Sequence, residues 1–400
     1  MRQFELVIVG GGLASARAIK AYREAGGEGT VALLSNDAVL PYHRPPLSKG
    51  YLRDETDEAP FVEDEAFYAD NDVDVLLGTL VSAVTPRARW LTTQRGRRYG
   101  YEQLLIATGA RPRRLNVPGA ELDGVFTLRS LADSASIRDA ARGGNRAAVV
   151  GGGFIGMEVA ASLRRLGLQV ALIHLGSGLF DQLDSRDLSD QLASLYSEHG
   201  VEVLLEQEVA AFGGDGRLAY VETKSGDRVE ADLAVVGVGV VPNVEFLAGS
   251  GLALENGIVV NERFEASAPG VYAVGDVANF FDPLYGRRRR IEHWSNANYQ
   301  GAEVGRVLAG EVGGYDTVSS FFSEVFGTTI RVFGDTSHAE QLSSEGSLEA
   351  GFLASYGDRG PLVGAISVGQ SEELEALVKD LIAERAPADA LARELVGGRS

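Results

Sequence analysis

Short apolar runs that end in glycine punctuate this chain, and they come as two matching series. Glu5–Val9 runs into Gly10-Gly11-Gly12, and Arg146–Val150 runs into Gly151-Gly152-Gly153. A helix-compatible stretch follows each, to Ala25-Gly26 and to Leu166-Gly167. From Gly10 to Gly151 and from Gly26 to Gly167 the offset is the same 141 positions. The next strands also match, Val31–Leu34 with Val170–Ile173 and Val73–Leu77 with Val201–Leu205. Each series closes with an apolar strand that enters a glycine turn and a proline, Leu104–Pro112 and Ala234–Pro242. Runs that are apolar throughout and bounded by glycine predict strands buried on both faces of a parallel sheet. Four matching elements in one order predict an α/β protein with a duplicated dinucleotide-binding domain.

The glycine turns indicate what such domains hold. Each turn follows a strand, opens a helix and precedes a second strand, which is the context that gives a G-x-G-x-x-G pattern meaning. The backbone must turn tightly there and approach a pyrophosphate, whose charge rests on the helix N-terminus. The candidate contacts are Gly10, Gly12, Ala14 and Ser15 in the first copy, and Gly151, Gly153, Phe154, Ile155 and Gly156 in the second. The closing turns add Thr108 and Gly109, and Gly237 and Gly239. An acid at the end of the second strand binds ribose hydroxyls. Asn36 and Asp37 stand there in the first copy; in the second the strand ends Ile173-His174-Leu175-Gly176, with no acid. No arginine follows nearby to grip a 2′-phosphate, although His174 can hydrogen-bond one. The choice between NADH and NADPH stays open.

A later element, Gly270–Asp276, reads as a buried strand ending in Gly275-Asp276, where an aspartate can hydrogen-bond the polyol of a flavin. Arg287-Arg288-Arg289-Arg290 reads as a solvated strand or hairpin, or as a basic dock for an acidic partner. Arg111, Arg113 and Arg114 form a second basic cluster. From about Asp316 the texture changes. Phe321–Phe326, Ile330–Phe333 and Gly351–Tyr356 read as antiparallel strands, and Ser371–Ala383 carries Leu374, Leu377, Val378, Leu381 and Ile382 at helical spacing. This C-terminal part is expected to cup the flavin or to form a partner surface.

Composition narrows the chemistry. Among 400 residues, 50 are glycine and none is cysteine. Glycine is well above its usual share of about 7%, in keeping with many tight turns or close backbone–ligand contacts. The missing cysteines exclude a disulfide framework, a thiolate metal or iron–sulfur site and any catalytic thiol, and no metal site is assigned. The charge balance, 37 basic against 56 acidic, gives −19, the wrong sign for a nucleic-acid binder. The apolar runs fall far short of the ~20 residues of a membrane span. The first residues lack a signal peptide's basic-then-apolar layout. A soluble cytoplasmic protein is expected, without nucleic-acid or membrane partners.

With these residues in view, the chain resembles the FAD-dependent ferredoxin reductases that serve bacterial oxygenases and cytochromes P450: the putidaredoxin, rubredoxin and biphenyl dioxygenase types. Apoptosis-inducing factor is a more distant relative. The most specific match is Pro41-Tyr42-His43-Arg44-Pro45-Pro46-Leu47-Ser48-Lys49, close to that family's R-P-P-L-S-K segment. The resemblance implies that Arg44 and Lys49 lie beside the isoalloxazine and that Lys49 pairs with Glu158, just after the second glycine motif. It also implies that Val81 abuts the adenine end, that Arg129 contacts FAD, that Asp276 binds the ribityl chain, and that Trp294 lies over the flavin–nicotinamide region. Two departures stand out: Ser15 replaces the third glycine or alanine of the first motif, and His174 replaces the usual NADH-selecting acid. The C-terminal domain also looks shortened.

The resemblance implies two nested Rossmann-like domains of the glutathione-reductase type, without redox cysteines, plus a C-terminal α+β domain. Residues 1–112 and 235–315 are expected to form the FAD-binding domain, 113–234 the NAD(P)H-binding domain and 316–400 the C-terminal domain. The implied activity passes hydride from NADH or NADPH to flavin N5. Electrons then go singly to a small iron–sulfur partner, a ferredoxin or rubredoxin docked through Arg287–Arg290. The expected catalytic residues are Lys49, Glu158 and Trp294, in a monomer or homodimer. An alternative reading is a redox-sensing or interaction module with slow turnover, in the manner of apoptosis-inducing factor. A quinone-reducing NADH dehydrogenase is disfavoured.

Overall fold

The computed structural model describes residues 2–56, 58–358 and 360–397. The chain divides into two compact units, one of Met1–His43, Ala59–Arg111 and Val241–Thr317, the other of Arg44–Glu58, Pro112–Val240 and Val318–Ser400. Each is built on a parallel sheet in which four strands follow the same order; the fifth strand comes after them in sequence in the first unit and before them in the second.

In the first unit the parallel strands run in the order Val73–Leu76, Val31–Leu34, Arg2–Val9, Arg98–Ile106 and Val271–Ala273. The register sets Val9 opposite Ile106, and Ile106 opposite Ala273, so three strands end level with one another. Leu6, Ile8, Leu33, Leu104 and Ile106 are buried at this centre, which explains why the runs are apolar without alternation. The strands Val81–Thr85 and Trp90–Thr93 extend the sheet by antiparallel pairing.

In the second unit the order is Val201–Leu204, Gln169–Ile173, Arg146–Val150, Leu233–Val236 and Val125–Phe126, again all parallel. Strands Arg146–Val150 and Val31–Leu34 match their expected spans, the others shift at their ends, and the closing strand of the first series starts earlier than expected, at Arg98. The two motif helices are Leu13–Glu24 and Phe154–Arg165.

The C-terminal stretch forms a five-stranded antiparallel sheet in the order Ser320–Val325, Thr328–Gly334, Leu362–Val368, Gly351–Gly357 and Glu340–Ser347. Three of these strands were legible as alternating or aromatic segments. Leu362–Val368 is buried along its whole length and so lacks alternation, and Glu340–Ser347 is a polar, largely exposed edge. Helix Glu372–Ala383 starts where Ser371 accepts a hydrogen bond from the Leu374 N–H, and it buries Val378 and Ile382. Among the described residues no helix is long and apolar enough to cross a membrane.

Candidate active site

The two glycine turns close in the same way. An ideal Cβ at Gly10 would lie 2.2 Å from the Ala107 carbonyl oxygen, and one at Gly151 would lie 2.3 Å from that of Gly237. A side chain at either position would force the central strands apart, so only glycine fits. Gly12 and Gly153 are the helix N-caps; neither helix start has a side-chain cap or an acidic residue in its first turn. The positive end of each helix therefore lies at its glycine turn without a built-in counter-charge.

In the first unit the turns converge at the carboxyl ends of the strands. The Gly10 turn abuts Ala107 and Thr108, and Gly275 packs at 3.6 Å (from an ideal Cβ) against Ala14. Asn243, which the sequence reading did not single out, staples the Thr108-Gly109 turn: its amide nitrogen donates to the Thr108 carbonyl at 2.9 Å. The Thr108 hydroxyl donates to the Asn243 carbonyl at 2.9 Å. The Ser15 hydroxyl donates to the Gly10 carbonyl at 2.5 Å. Asp276 is buried beside this turn, and the Gly275 N–H donates to Gln300 at 2.8 Å.

The other expected contacts lie outside these turns. Asn36 is exposed, and Asp37 accepts from the Tyr42 hydroxyl at 2.9 Å. Val81 is a buried core residue of the first strand pair. Trp294 opens the helix Trp294–Leu308, is about one-third exposed, and donates its indole N–H to His43 Nδ1 at 2.9 Å. Burial, together with Arg17, lowers the His43 pKa against the opposing pull of Glu63, which keeps an acceptor lone pair for the indole. Burial also pushes His293 down to about 4, with Asp276 opposing the shift.

The four-arginine run forms a strand, Arg287–Arg289, and is less basic than its sequence suggests. Arg289 pairs with buried Asp282 at 2.8 Å, Arg290 pairs with Glu292, and Arg288 donates to the carbonyls of Val260 and Asn279.

In the second unit, Lys49 and Glu158 meet. Lys49 Nζ lies 2.6 Å from Glu158 Oε2; the carboxylate is buried and the lysine largely so. Two serines that sequence reasoning missed complete the carboxylate: Ser48 donates to Oε2 at 2.5 Å and Ser323 to Oε1 at 2.8 Å. A buried ion pair holds only when such hydrogen bonds satisfy its remaining lone pairs. The segment carrying Lys49 is fixed by its backbone, since Ser134 donates to the Leu47 carbonyl and Ser162 to the Ser48 carbonyl. Arg44 stands at the N-cap position of the short helix Pro45–Ser48 without a side-chain capping bond, and the Arg129 N–H donates to Asp133. Tyr196, fully buried, has its pKa raised by burial and by Glu158 and donates to the Met157 carbonyl at 2.7 Å.

Gly237 packs on the second glycine turn beside Gly156, and the Gly239 carbonyl accepts from the Arg113 N–H. Phe154 meets the ring of Phe180 at 4.8 Å and that of Phe321 at 4.9 Å, while Ile155 is exposed. His174 uses both ring nitrogens internally. Nδ1 accepts from the Gly152 N–H at 3.0 Å, and Nε2 lies 3.2 Å from Asp181.

These turns fit a family whose sequence model, described as "Pyridine nucleotide-disulphide oxidoreductase", matches residues 4–301. The chain belongs to this family. Within it, the chain is similar to ferredoxin reductases. It is 32% identical to putidaredoxin reductase of Pseudomonas putida, over 96% of this chain and 93% of that protein. It is 34% identical to rhodocoxin reductase of Rhodococcus erythropolis, over 95% and 90% respectively. Among solved structures, the covalent putidaredoxin reductase–putidaredoxin complex matches with a TM-score of 0.93 at 30% identity, covering 100% of both chains. The ferredoxin reductase for the CYP199A2 system of Rhodopseudomonas palustris matches with a TM-score of 0.91 at 30% identity, covering 98% and 99%. The family implies a pyridine nucleotide and, in this branch, FAD. The residues present fit both: two uncapped helix starts face glycine turns. On the helix beside Gly275, Asn296 Oδ1 and Gln300 Nε2 are buried without a hydrogen-bond partner.

Proposed function

We propose that this chain is an FAD-dependent NAD(P)H reductase that delivers electrons to a small iron–sulfur protein of ferredoxin or rubredoxin type, which feeds an oxygenase or cytochrome P450. The observation that carries this reading is the match over both full chains to a reductase held with its iron–sulfur partner. The relatives named above are reductases, and they favour electron transfer over the redox-sensing alternative.

FAD, when bound, supplies the chemistry of taking a hydride equivalent from NAD(P)H and returning electrons singly. The chain's part is to bind, orient and shield. Residues 1–112 with 235–315 hold FAD, residues 113–234 hold the nucleotide, and residues 316–400 form the C-terminal domain. In the first unit, Gly10, Gly12, Ala14 and Ser15 receive the pyrophosphate, Thr108 and Gly109 close over it, and Asp276 takes the ribityl hydroxyls. Asn36, Asp37 and Val81 line its adenosine end. Gly151, Gly153, Phe154, Ile155, Gly156, Gly237 and Gly239 bind the nucleotide in the second. Arg44 and Arg129 contact FAD. Lys49 presents a cation that Glu158, Ser48 and Ser323 hold in one place. Trp294, pinned by His43 and partly exposed, is the exit for electrons. With no cysteine in the chain, those electrons cannot pass through a thiol. Arg287–Arg290 borders the docking surface, and the enzyme works in the cytoplasm, where reduced nicotinamide is made.

The test is anaerobic addition of NADH or NADPH to the flavin-loaded protein. Bleaching of the flavin band within seconds is expected, followed by cytochrome c reduction only when a ferredoxin-type protein is added. No bleaching with either nucleotide overturns the reading.

A further inference from the structure

The second glycine motif has no acid in its strand-end sequence, yet the structure puts one there. Aligning Val31–Leu34 with Val170–Ile173 sets Asp37 of the first copy opposite Gly176 of the second. An ideal Cβ on Gly176 would lie 2.2 Å from Asp181 Oδ2 and 2.7 Å from His174 Nε2. The space in which a side chain at position 176 would begin is thus filled by the Asp181 carboxylate.

The carboxylate is held there. Phe180, buried and in the left-handed region at φ 53°, donates its N–H to the Gly152 carbonyl at 2.9 Å, which ties the loop to the glycine turn. Its ring packs on Phe154 at the start of the motif helix. The Gly152 N–H occupies the His174 Nδ1 lone pair, so the ring's N–H is at Nε2, facing Asp181 at 3.2 Å. His174 therefore positions Asp181. The Asp181 side chain keeps 47% of its surface exposed, so the carboxylate is anchored on one side and open on the other. The next arginine in the chain, Arg186, lies along its own helix toward Asp190 at 3.8 Å.

We propose that Asp181, oriented by His174, selects NADH over NADPH at the second glycine motif. Its carboxylate accepts the adenosine ribose hydroxyls and repels a 2′-phosphate. This rests on the reading that the second motif binds the pyridine nucleotide. Sequence position hides the residue because the acid arrives from a loop after the strand rather than from the strand end.

The experiment uses the flavin-loaded protein and its Asp181→Asn variant, which keeps an acceptor for His174 and removes the charge. Titration calorimetry measures ADP-ribose and its 2′-phosphate, and kcat/KM is measured for NADH and NADPH with ferricyanide as acceptor. Wild type is expected to favour the unphosphorylated compounds by at least about tenfold, and the variant to lose roughly tenfold of that preference in both measurements. If wild type binds ADP-ribose but the preference moves by less than about twofold in the variant, Asp181 is not the selector and the inference falls alone. If wild type binds neither compound, the nucleotide reading of the second motif falls, and this inference with it.

Discussion

The two glycine turns share a four-strand order and a closing contact but solve the same three positions with different chemistry. At the third motif position, Ser15 donates to the Gly10 carbonyl at 2.5 Å. Its counterpart Gly156 leaves no room, since a Cβ there would lie 1.9 Å from the Gly151 carbonyl oxygen. The second helix sits closer to its turn, and the first uses a hydroxyl to span a slightly wider gap. Two residues further on, the counterpart of Arg17 is Glu158. Arg17 donates to Asn298 at 2.8 Å and sits 3.4 Å from Glu63, whereas Glu158 is buried and receives Lys49 and two serines. At the strand end, Asp37 is in line with its strand, and Asp181 comes in from a loop. Duplication preserved the backbone frame, which sterics fix, and left the side chains on it to diverge in charge.

The largest effect should come from Glu158. Glu158→Ala leaves Lys49 buried without a counter-charge and is expected to cost about 3–5 kcal/mol by chemical denaturation. Glu158→Gln, which can still accept from the serines, should cost less while slowing flavin reduction by NAD(P)H. Loss of FAD in the Gln variant would contradict the placement of Glu158 on the nucleotide side. Next comes the exchange of motif residues. Gly156→Ser should destabilise by roughly 1–3 kcal/mol and weaken nucleotide binding, because a backbone carbonyl cannot move aside as a side chain can. If this variant matches wild type in melting temperature, the two turns are not as different as their close contacts indicate. The reverse test is milder. Ser15→Ala removes one buried hydrogen bond, an expected loss of about 1 kcal/mol, with no change in nucleotide preference.

A further expected effect is a pH dependence confined to the first unit. His293 is neutral when folded, with a pKa of about 4, and carries an ordinary value of about 6.5 when unfolded. Between those values the unfolded chain binds the extra proton, so stability should fall as pH drops from about 6.5 toward 4 and be flat above. His293→Gln should flatten that part of a melting temperature against pH profile; an unchanged slope would mean that other groups set it.

Much of this was legible in the sequence, for a physical reason. Glycine turns, buried parallel strands and the Lys49 segment are local patterns, and the duplication doubled each signal. What escaped was assembled across distance in the chain. Ser323 reaches Glu158 from 165 positions away, Asn243 reaches Thr108 from 135, and His43 meets Trp294 from 251. A lone serine or asparagine carries no mark of such a partner. Asp181 is a subtler case: it is near in sequence, but the helical turn Asp181–Leu183 and the left-handed Phe180 swing it back to the strand end. The arginine run forms the strand that its sequence predicts, while its partial neutralisation by Asp282 and Glu292 is not written in the run itself.

The Ser323 hydrogen bond also bears on how the protein is made. The second unit draws on three separated stretches, and the carboxylate at its buried pair waits for a donor from the last of them. During synthesis from the N-terminus, Lys49 and Glu158 emerge long before Ser323 can reach them. Until that strand arrives, the pair stays one hydrogen bond short, exposed to water and able to exchange partners. A ribosome-bound chain halted before residue 320 should therefore hold its nucleotide turns in outline while the charge pair is still loose, and completion of the C-terminal sheet is the step that locks it.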